Sequence, residues 1–77
     1  MDKARRERLK DALRYLSNVI IIVDQVCDKE EDCVDNYPEN LMSSPKYEQM
    51  EAAVDSLNDA IEKLEDAKAC IHSAMSR

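Results

Sequence analysis

Residues 2–36 contain neither glycine nor proline, and an apolar side chain recurs through them at alternating steps of four and three. The series runs Leu9, Leu13, Leu16, Ile20, Val23 and Cys27, then Val34 and Tyr37, with Glu30 as its one interruption. That spacing keeps the side chains on one side of an α-helix. It is a heptad repeat with Leu13, Ile20, Cys27 and Val34 at position a, and Leu9, Leu16 and Val23 at d. Pro38 pushes Tyr37 out of helical geometry, so the first helix should occupy residues 2–36. At a rise of about 1.5 Å per residue it would be about 50 Å long.

A second helix is signalled as clearly. The Ser44 hydroxyl is placed to cap free amides, and Pro45 suits the first helical position, where no N–H is needed. From there Tyr47, Met50, Val54, Leu57, Ile61, Leu64, Lys68, Ile71 and Met75 repeat the same alternation. Lys68, the polar exception, can lay its stem along the seam and extend its ammonium into water. Ala53, Ala60, Ala67 and Ala74 hold the g positions, where small side chains let two helices approach closely. Pairing residues whose numbers sum to 84 uses both helices end to end, setting Tyr37 against Tyr47, Cys27 against Leu57 and Leu9 against Met75. The expected fold is all-α: one antiparallel, coiled-coil-like two-helix hairpin over residues 1–77, with a connector at 37–44.

The missing glycine also bears on function. Of 77 residues none is Gly, which excludes a Gly-rich phosphate loop and a nucleophile elbow. A net charge of −6 disfavours direct nucleic-acid binding and anionic membranes. The longest apolar run, residues 19–23, is far short of the ~20 residues of a membrane span. It is also too short for a signal peptide, and the three unevenly spaced cysteines do not suit a disulfide framework. These features suggest a cytoplasmic protein.

No constellation points to catalysis, a metal or a cofactor. Cys27 and Cys33 lie six apart and face different directions on a helix, and Cys70 falls far along the hairpin from both. Cys27 reads as core filling, whereas Cys33 and Cys70 should be more open to solvent. His72 is the only histidine and has no evident acid or nucleophile beside it. The acidic run after Asp24 lacks the glycine and spacing of a calcium loop.

Two surface features remain. Tyr15, Ile21 and Ile22 lie at b and c, away from the hairpin seam, and are the candidate oligomer interface. A homodimer closing into a four-helix bundle is the simplest product for so small a chain. The charge is also segregated along the rod. Residues 1–14 are basic, while Asp28, Glu30, Glu31, Asp32, Asp35 and Glu39 cluster near the joint. That acidic tip is the candidate binding surface for a protein partner with a basic face.

The joint carries a resemblance as well. Pro38-Glu39-Asn40-Leu41 is followed by serines, Tyr47, Glu48-Gln49-Met50 and a repeat through Ala53, Leu57, Ala60 and Ile61. Residues 35–68 thereby resemble a small family of uncharacterised helical-hairpin proteins of Firmicutes phages and mobile elements. The resemblance implies a hairpin and a mobile-element setting, and it transfers no site residue. By analogy, small acidic phage proteins often bind host defence machinery, as anti-CRISPR proteins do. The expected function is a non-enzymatic interaction module of that kind. Two alternatives are an oligomer that traps a nucleotide signal, with Arg5 and Arg6 as its cations, and a structural coiled-coil component.

Overall fold

The computed structural model describes residues 1–77 and contains two α-helices and one short turn of 3₁₀ helix. Helix α1 spans Lys3–Asp35 and helix α2 spans Pro45–Met75. The two pack along their length as an antiparallel hairpin, 59 × 16 × 13 Å in extent. Its radius of gyration is 17.5 Å. A compact domain of this length would have a radius of about 11–12 Å, so the chain is a rod.

Each helix begins on a capping side chain. The Asp2 carboxylate accepts a hydrogen bond from the Arg5 amide at 2.8 Å, and the Ser44 hydroxyl accepts one from the Tyr47 amide at 3.2 Å. Pro45 and Glu48 occupy the first turn of α2, as the sequence signals require. Helix α1 ends at Asn36, whose backbone and side-chain amides both donate to the Asp32 carbonyl. Beyond it, Pro38 is extended, with φ −59° and ψ 131°.

The connector has more internal order than sequence reasoning assigned to it. Glu39–Leu41 forms a 3₁₀ turn, bonded from the Leu41 amide to the Pro38 carbonyl at 2.9 Å. Ser44 then donates to Leu41 at 3.0 Å, immediately before α2 starts. These short-range bonds satisfy backbone groups that a reversal of direction would otherwise leave without partners.

The register is the one in which residue numbers sum to about 84. Tyr37 and Tyr47 stack at the tip with ring centroids 5.4 Å apart. Near the middle, the Cys27 sulfur lies 3.5 Å from Oδ1 of Asn58. At the open end, Arg6 donates to the backbone oxygen of Arg77 at 3.3 Å. Three contacts at three heights along the rod leave no room for a heptad slip.

The core is thin. Only Leu13 and Cys27 are buried, and the other a and d residues are half-buried, Glu30 and Lys68 included. A two-helix seam has just one layer of side chains on each side, so little can be fully enclosed.

Candidate functional site

The first candidate surface, the acidic tip, divides on inspection. Asp28, Asp32, Asp35 and Glu39 are exposed. Glu30 and Glu31 are half-buried, and Glu31 is turned inward. Its carboxylate accepts from Nδ2 of Asn58 at 3.5 Å and from the Cys27 thiol at 3.7 Å. Sequence reasoning placed Glu31 among the free acids. The structure instead makes it part of a polar knot that joins the helices beside the one almost sealed side chain. Cys27 itself is 2% exposed. Burial, then the neighbouring carboxylates led by Glu31, push its thiol pKa up from the ordinary 9.0. The contact with Asn58 was not foreseen, because it spans 31 positions of sequence.

Asp28 and Asp35 are seven residues apart and so lie on one face of α1. No ion pair within the chain involves either of them, nor Asp32 or Glu39. Most of the rod's carboxylate charge at this end is therefore available to an external cation.

The second candidate surface is apolar. Tyr15, Ile21 and Ile22 are all exposed, but they do not form one patch. Ile21 is turned by about 100° from Ile22 around the helix axis. What accompanies Tyr15 and Ile22 is a pair of valines. Tyr15, Val19, Ile22 and Val26 are 71%, 41%, 59% and 48% exposed, and their spacing is again four, three, four. Val19 and Val26 hold the g positions of α1, on a stripe wider than a two-helix seam needs. In the structure these residues project past the seam. Glu31 and Asn58, both at e, meet on one flank of the hairpin, which leaves the g residues of both helices on the opposite flank. Helix α1 thus carries two apolar stripes, one against α2 and one open.

A third feature is a shallow groove of about 360 Å³ on the e flank, lined by Leu13, Arg14, Ser17, Asn18, Lys68 and His72. Arg14 is also paired with Asp11. Arg5 and Arg6, expected as the cations of any anion trap, are not part of it. Arg5 pairs with Asp2 at 3.7 Å, and Arg6 is held at the open end by Arg77.

All three cysteines are free, and no three His, Cys, Asp or Glu residues converge as a metal site. No helix is long and apolar enough to cross a membrane. Comparison with protein-family models, curated protein sequences and solved structures finds no match to this chain.

Proposed function

We propose that this chain is a non-enzymatic helical interaction module of the bacterial cytoplasm, acting as a homo-oligomer. It blocks a host defence complex, in the manner of an anti-CRISPR protein, by laying its acidic tip on a basic surface that otherwise receives nucleic acid. The mobile-element setting comes from the likeness at the joint. The observation that carries the reading is the set of unpaired, exposed carboxylates Asp28, Asp32, Asp35 and Glu39 at one end of a rigid rod. Carboxylates fixed on a helix, with no cation of their own, offer regularly spaced negative charge to a phosphate-binding groove.

The test is affinity capture from host lysate with mass spectrometry, comparing the native chain with an Asp28→Lys/Asp35→Lys variant. Both positions are exposed, so the hairpin is retained. The native chain should hold a basic protein that raised salt releases, and the variant should lose it. Equal retention by both chains contradicts the acidic-tip reading.

One observation favours a second reading, the nucleotide trap. Arg14, Lys68 and His72 share a groove with the hydrogen-bonding side chains Ser17 and Asn18. Under that reading cyclic nucleotides raise the melting temperature, and Arg14→Ala/Lys68→Ala abolishes the effect. No shift with the native chain rules it out.

A further inference from the structure

The open stripe has features that select its occupant. Tyr15 and Val26 stand symmetrically about a point between residues 20 and 21, and so do Val19 and Ile22. An antiparallel copy of α1 placed on the stripe therefore meets an identical pattern, with Val19 opposite Ile22 and Tyr15 opposite Val26, under a two-fold axis.

The ends of the stripe extend the same logic. The spacing continues outward to Arg8 and Ala12 on one side and to Lys29 and Cys33 on the other. In the antiparallel arrangement each long cation lies opposite a small residue, Lys29 against Ala12 and Arg8 against Cys33, which leaves room for its stem. The residue preceding each small one is acidic. Lys29 thus comes beside Asp11 of the second copy, and Arg8 beside Asp32 of the second copy. Neither Arg8 nor Lys29 has an ion-pair partner within its own chain. A parallel arrangement would instead set basic end on basic end and acidic tip on acidic tip.

Area gives the same indication. The chain exposes 5829 Å². A compact monomer of 8.8 kDa exposes about 4,800 Å². The excess of about 1,000 Å² compares with the ~800 Å² per partner of a standard interface.

We infer that the Tyr15–Val19–Ile22–Val26 stripe is the seat of a second copy of this chain, bound antiparallel through α1 about a two-fold axis between residues 20 and 21. The inference deepens the homo-oligomer part of the proposed function and leaves Asp28 and Asp35 facing away from the interface. It replaces Ile21 with Val19 and Val26 in the contact.

Sedimentation equilibrium on charge variants tests orientation and register together. Asp11→Lys and Lys29→Asp each set like charges across the axis twice. Each single variant should weaken dimerisation on the order of tenfold. The double variant Asp11→Lys/Lys29→Asp, and an equimolar mixture of the two single variants, should both return to the native dissociation constant. Both residues concerned in these exchanges are on the surface of the hairpin, and unchanged helicity by circular dichroism verifies the fold. A native chain that stays monomeric overturns the inference, as do single variants that bind as well as the native chain, or a double variant that does not recover. The acidic-tip reading stands or falls separately, by the capture experiment with Asp28→Lys/Asp35→Lys.

Discussion

At the scale of single residues, Cys27 shows how a side chain can be foreseen in place but not in company. Its heptad position marked it as core, and it is the most enclosed residue of the rod. Its contacts with Glu31 and Asn58 depend on how the two helices meet in space, which one helix's periodicity does not encode. Two outcomes follow from that environment. A thiol reagent should label Cys70 on the folded chain, with Cys27 reacting only as the hairpin opens; mass spectrometry of labelled peptides reads this directly. The second concerns pH. Folding raises the Cys27 pKa, so the folded chain holds the proton to higher pH than the unfolded chain. The associated stability is complete below the ordinary thiol value and is lost as pH rises through the raised one. Between about pH 8 and about pH 10 the melting temperature of the native chain should fall more than that of Cys27→Ala. Parallel slopes for the two chains would show that the thiol does not titrate with folding.

At the scale of elements, both helices and their register were legible because the determinants are local. Pro38, Ser44 and Pro45 mark the boundaries at the joint within a residue or two, and the 3/4 spacing marks the face that packs. The Glu39–Leu41 turn was not legible, since its hydrogen bonds arise from closing the chain between two fixed rods rather than from residue type. The g residues of the two helices differ in how far they reach. Alanine at g in α2 is short enough to be half-covered at the seam, whereas Val19 and Val26 in α1 reach beyond it. The cap at the joint has a measurable weight. Ser44→Ala removes the acceptor for the Tyr47 amide and should cost about 1 kcal/mol. For a chain of this size that is a fall of about 4–8 °C in melting temperature. An unchanged melting temperature would mean that Pro45 and the Tyr37–Tyr47 stack fix the joint without the cap.

At the scale of the whole molecule, a rod with two buried residues in 77 is an unfinished core. Below about 80 residues a single seam rarely supplies enough burial, and association is a common remedy. The two ends of the rod differ in charge, and the middle of α1 offers a self-complementary apolar stripe. On this account the stripe joins two copies, while the outward carboxylates of each tip remain free for a partner. Tyr15 and Ile22 were recognisable in the sequence as leftovers from the hairpin seam. The stripe they belong to emerged only once Val19 and Val26 were seen to be exposed. Sedimentation equilibrium of the native chain beside Ile22→Glu bears most directly on this claim, because Ile22 is 59% exposed in the hairpin and its replacement leaves the α1–α2 seam intact. The account predicts twice the 8.8 kDa chain mass for the native protein and a helical monomer for the variant. The same mass for both, whether monomer or dimer, would contradict it.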